Sequence, residues 1–98
     1  MKIIWSPLAI ERASEIADYI AVDKPLAAGK WIAAVFLKVE QLASSPEIGR
    51  VVPEIGNDQF RELIYGNYRI IYCIENKQVS ILTIRHCKQI LPIEEILS

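Results

Sequence analysis

Two periods divide the chain. Ala9, Ala13, Ile16, Ala17 and Ile20 recur at helical spacing, while Glu11, Arg12, Glu15 and Asp18 fill the opposite face. Ser6-Pro7 ahead of them is a good helix start, with Ser as N-cap and Pro at the first turn, so a helix is predicted over 7–21. Ala28, Ile32, Val35, Val39 and Leu42 then step by alternate fours and threes, a seam suited to packing on a neighbouring helix. A second helix is predicted over 25–43, with Asp23 as its N-cap and Ser44-Ser45-Pro46 as its stop. Gly29 inside it costs up to ~1 kcal/mol of propensity and is expected to allow close helix approach. The short break at Asp23-Lys24-Pro25 makes the pair an antiparallel hairpin.

Strand patterns take over at both ends. Lys2–Trp5 reads as a short strand before the first helix. Residues 46–58 form a loop punctuated by Gly49, Pro53 and Gly56, with a short strand at Arg50–Val52. Phe60–Tyr65, Tyr68–Glu75 and Val79–His86 read as strands joined by turns at Gly66-Asn67 and Asn76-Lys77. Pro92–Leu97 is read as one helical turn or a tail. The expected class is α+β, in the order β-α-α-β-β-β, as one domain over 1–98. The hairpin covers one face of a small antiparallel sheet and leaves the other face partly open.

Composition permits such a core. Ile, Leu, Val and Phe supply 33 of 98 residues, well above the ~20% typical of disordered chains. Hydrophobic residues make up 52% of the chain. A partner or dimer contact would account for this apolar excess, and so would an Ile-rich core. Cys73 and Cys87 are too few for a disulfide framework, and Cys73 fits a small buried hydrophobe. The apolar runs are too short to span a membrane, and no leader pattern is read, so a cytoplasmic protein is expected.

Charge matters locally. The formal net charge of −1 is not that of a general nucleic-acid binder. Residues 60–88 nevertheless carry Arg61, Arg69, Lys77, Arg85 and Lys88 against Glu62 and Glu75. An anion-facing patch or a solvated sheet face would explain that excess equally. If Glu75 pairs with Val79 across the second turn, Tyr72 faces Leu82 and Arg69 lies opposite Arg85. Two opposed arginines are unfavourable unless an anion sits between them, so that register predicts an anion site. A slip of one residue would remove it. His86, the only histidine, suits a general base near neutral pH or a polar strand end. No metal site is expected, since His86 and Cys87 lack a second pair at ligand spacing. No cofactor motif is found.

The order of these motifs resembles the RelE/ParE superfamily of type II toxins over nearly the whole chain. Ile4-Trp5-Ser6-Pro7 with Ala9 resembles its strand-to-helix entry. Tyr19-Ile20-Ala21, Asp23, Pro25 and Ala27-Ala28 resemble the helix break of ParE-like members. Leu42, Ser45-Pro46 and Gly49-Arg50 resemble the loop, Arg61-Glu62-Leu63 and Tyr68–Tyr72 the central strands, and Ile81–His86 the closing strand.

The resemblance implies one of two targets. ParE-like members bind DNA gyrase and block replication, without chemistry of their own. RelE-like members cleave mRNA on the ribosome. Arg61, Arg69 and Lys88 match basic positions of the nuclease type, and His86 could stand in for its terminal tyrosine. However, Leu63 replaces a second basic position, no tyrosine follows Tyr72, and the chain lacks the strong basic charge that RNA contact demands. The ParE-like reading is therefore favoured, with a nuclease or a non-toxic interaction module as alternatives. Target contacts are expected at Arg50, Arg61, Arg69, Arg85, His86 and Lys88. An antitoxin is implied, with contacts expected at Ile16, Ile20, Trp31 and Val35, in a toxin–antitoxin hetero-oligomer or beside a toxin homodimer.

Overall fold

Ser6 organises the entry to the fold in the computed structural model, which describes residues 1–97. Strand β1 (Lys2–Trp5) ends there, and helix α1 (Pro7–Asp23) begins. The Ser6 hydroxyl accepts the Ala9 N–H at 3.0 Å and donates to Leu82 O at 3.0 Å. One side chain thus caps α1 and ties it to the sheet. Helix α2 (Pro25–Glu40) follows, continued by a single 3₁₀ turn at Gln41–Ala43. Asp23 is not the N-cap expected of it. It closes α1, and Lys24 serves as the extended residue between the helices, with no side-chain cap.

Strands β2 (Arg50–Val51), β3 (Phe60–Tyr65), β4 (Tyr68–Glu75) and β5 (Gln78–His86) complete the sheet, and one turn of helix, α3 (Glu94–Leu97), ends the described chain. The sheet order is β1-β5-β4-β3-β2. It is mixed rather than antiparallel, because β1 runs parallel to β5 over Gln78–Ile81. The remaining pairs are antiparallel.

The β4–β5 turn fixes the register. Asn76 and Lys77 both have positive φ, 52° and 59°, so a two-residue turn pairs Glu75 with Gln78 rather than with Val79. Tyr72 consequently faces Ile81, not Leu82. A bulge at Leu82 then restores the expected pairs Ile70↔Ile84 and Arg69↔Arg85.

Ile70, Tyr72, Ile81 and Ile84 pack beneath the hairpin against Ala9, Trp31, Val35, Val39 and Leu42. The face expected to be partly open is covered more than expected, though Ile64 on it is still 41% exposed. Val52 and Ile55 of the loop before β3, and Leu91 and Ile96 near the C-terminus, cover Ile71, Phe60 and Leu82 in a second apolar cluster. Gly29 brings no helix closer, since a Cβ there would meet nothing within 4 Å.

Candidate functional site

Alternation along β3, β4 and β5 places Glu62, Arg69, Thr83 and Arg85 on the sheet face away from the hairpin. Arg69 and Arg85 stand opposite one another as expected, but the space does not call for an external anion. Carboxylates of this chain neutralise each guanidinium. Arg69 Nε donates to Glu62 Oε1 at 2.6 Å, and its two terminal nitrogens grip Glu54 at 2.8 Å each. Arg50 holds the other oxygen of Glu62. Arg69 is 6% exposed and Glu62 1%, so this network is part of the interior. The Arg69 hydrogen bonds hold the Glu54 carboxyl down at about 2, and Glu54 in turn pushes the Arg69 pKa up.

Arg85 belongs to a second network. Glu95 of α3 accepts from Thr83 Oγ1 at 2.7 Å, from Arg85 Nε at 3.2 Å and from Arg12 at 3.3 Å, and is also paired with the Arg85 terminal nitrogen. Burial pushes the Glu95 carboxyl up, yet the donors Arg85, Thr83 and Arg12 overcome it and hold the group at about 2. Arg12 also pairs with Glu15.

The other expected contacts lie elsewhere. Arg61 points to the hairpin side, opposite Tyr72, and donates to the backbone oxygens of Gly49, Glu47 and Asp58. Tyr72 completes this clamp. Its hydroxyl donates to Pro46 O at 2.7 Å and accepts Gly49 N–H at 3.0 Å, and burial pushes its pKa up. A Cβ on Gly49 would lie 2.5 Å from that hydroxyl, so the close approach requires glycine. The Pro46–Arg50 motif is therefore a structural joint between loop and sheet.

His86 is opposite Tyr68, also on the hairpin side, with ring centroids 5.4 Å apart. Its Nδ1 accepts the Lys88 N–H, which leaves the proton of the neutral ring on Nε2. Arg61 and His86 thus stand across the sheet from Arg69, and the expected nuclease set Arg61, Arg69, His86 and Lys88 does not converge. Among the described residues no three His, Cys, Asp or Glu side chains gather to hold a metal ion.

A groove of about 320 Å³ runs between α1 and the ends of β4 and β5, lined in part by Ile16, Tyr19, Tyr68, Arg85 and His86. Ile16 and Ile20 are half-buried against the core. Trp31 and Val35 correct the expected partner surface: both lie inside the core, at 8% and 1% exposure. Tyr19, Val22 and Leu26 instead form the exposed apolar tip of the hairpin.

Sequence reasoning missed the acids. Glu54 and Glu95 lie in segments that read as loop and tail, and Glu62 entered only as a counter-charge to the arginines. The available signal was Glu62 in an apolar strand, out of phase with Leu63 and hence on the face of Arg69.

A helical hairpin over a five-stranded mixed sheet defines a small α+β protein with the architecture that the sequence resemblance implies. Residues 3–91 match the family described as the ParE toxin of type II toxin-antitoxin system, parDE. The chain belongs to that family. A relative from Sinorhizobium fredii, named as a candidate toxin, Y4kP, is 36% identical over 94 residues, covering 93% of each chain. The fold also matches a chain of the chromosomal ParDE system from P. aeruginosa, with a TM-score of 0.75, 21% identity, and coverage of 90% of this chain and 97% of that one. No helix among the described residues is long and apolar enough to cross a membrane.

Proposed function

We propose that this chain is the toxin of a type II toxin–antitoxin pair and arrests growth by binding DNA gyrase in the cytoplasm. The family match over residues 3–91 carries this reading. The separation of Arg69 from Arg61 and His86 supports it against RNA cleavage, which would require those groups around one phosphate. The toxin acts by contact. It engages gyrase on cleaved DNA and prevents resealing, so replication stops. Lys88 and Arg50, both exposed, are the target contacts this reading retains. A cognate antitoxin neutralises the chain, with the apolar tip Tyr19, Val22 and Leu26 beside Ile16 and Ile20 as its seat.

The test is pulse labelling of DNA and protein synthesis minutes after the chain is induced alone in bacteria. An early fall in DNA synthesis with translation intact is expected. An early fall in translation would replace this reading with ribosome-dependent mRNA cleavage and make His86 the first residue to mutate.

A further inference from the structure

Helix α2 carries two seams on opposite faces. Ile32, Val35, Val39 and Leu42 pack into the core. On the outside, Leu26, Lys30, Ala33, Leu37 and Glu40 repeat the same alternate steps of four and three, two residues earlier in the chain. Leu37 is 69% exposed there, and Phe36 beside it, stacked on Trp5 with ring centroids 4.9 Å apart, is 46% exposed. The outer face of α1 differs, for Glu11, Glu15 and Asp18 turn to water on it. A helix apolar on both faces is ordinarily buried on both.

The charges of the outer seam select the occupant. Lys30 and Glu40 flank Ala33 and Leu37 on it, and both are exposed. Neither has an opposite charge three or four residues away on the helix. Neither forms an ion pair elsewhere among the described residues. A second α2 laid antiparallel, about a two-fold axis midway between Ala33 and Leu37, satisfies all four positions at once. Lys30 of each copy then stands opposite Glu40 of the other, and Leu37 of each lies over Ala33 of the other. These are the pairs that an antiparallel seam of this spacing makes, and a two-fold axis makes the face complementary to itself. A parallel copy in register would set Lys30 against Lys30. Leu26 falls beyond the apolar centre, opposite Ser44, and stays outside the contact.

We propose that the outer face of α2 is a homodimer interface, closed antiparallel through Lys30, Ala33, Leu37 and Glu40, with Phe36 along its flank. Two apolar layers between two ion pairs make a small contact, so the dimer is weak, with a dissociation constant of roughly 10–100 µM. The proposal goes beyond the gyrase reading and does not depend on it, because it stands on α2 alone.

Sedimentation equilibrium of the purified full-length chain, from about 1 µM to about 1 mM, is the test. Wild type should pass from the mass of one chain to that of two across this range. L37D, at an exposed position, should keep the single-chain mass throughout, with an unchanged circular dichroism spectrum. K30E and E40K should each weaken the dimer about 10-fold, since each sets like charges face to face at both ends. K30E/E40K should bring the affinity back to within about 3-fold of wild type, a rescue that mere damage to the helix would not give. A single-chain mass for wild type at ~1 mM would overturn the proposal, as would a dimer that L37D leaves intact. The double variant failing to recover would overturn the antiparallel pairing. A wild-type monomer whose antitoxin binding is lost in L37D would give this face to the antitoxin instead.

Discussion

Replacing Arg69 by alanine should cost the fold about 3 kcal/mol. The guanidinium is 6% exposed and bonded to two carboxylates, of which Glu62 is fully buried and Glu54 is 38% exposed. Without Arg69, Glu54 can turn to water at little cost. Glu62 cannot, and keeps only Arg50, whose own side chain is 62% exposed. Breaking a buried pair from one side costs about 3–5 kcal/mol, and the surviving Arg50 contact places the loss at the lower end. At about 4–8 °C per kcal/mol for a domain of this size, the melting temperature should fall by roughly 12–24 °C. Urea unfolding followed by tryptophan fluorescence, with Trp31 in the core, measures the change. Removing both charges in R69M/E62L should cost less than R69A alone, since no carboxylate is then stranded. An R69A chain within ~1 kcal/mol of wild type would refute the reasoning, for it would mean Glu62 is hydrated. Loss of toxicity in R69A would then need another explanation than loss of folded protein.

Gly49→Ala should destabilise the chain by about 1–3 kcal/mol, because the new Cβ meets the Tyr72 hydroxyl at 2.5 Å and Glu62 O at 2.6 Å; a urea midpoint equal to wild type would contradict this. Gly29→Ala should stabilise it by about 0.5–1 kcal/mol, since the site is exposed, helical and open, and a lower midpoint would count against that placement. Glu95, held at about 2 against an ordinary 4.5, contributes stability that is fully present above pH ~4.5 and lost as pH falls toward 2, worth about 3 kcal/mol. Urea midpoints from pH 6 to 2.5 should therefore fall more steeply in wild type than in E95Q; parallel curves would show that Glu95 is not paired in solution.

Local chemistry made much of the fold legible. Ser6-Pro7 announces α1, the heptad-like steps announce α2, and Asn76-Lys77 announces a tight turn, because each depends on neighbours in sequence. The parallel pairing of β1 with β5 was not legible, since it joins segments more than seventy residues apart. The bulge at Leu82 escaped for a different reason. A two-residue turn shifts the register by one, and only an extra residue further along returns Arg69 to Arg85. Coverage of the second face depends in part on Ile55 and Ile96, which sit in segments that read as loop and tail. The same holds for the site. The arginines were visible as a charge excess, but their neutralisation by Glu54, Glu62 and Glu95 is a property of three separate segments meeting. Trp31 and Val35 looked available because helical periodicity shows an apolar stripe without showing that the sheet covers it.

The central claim is tested most directly with the purified chain, DNA gyrase and plasmid DNA. The account predicts inhibited supercoiling, together with linear plasmid released after detergent and protease, the mark of a trapped cleaved complex. Unimpaired supercoiling at a large molar excess of folded chain, with cuts appearing in ribosome-bound mRNA, would contradict it.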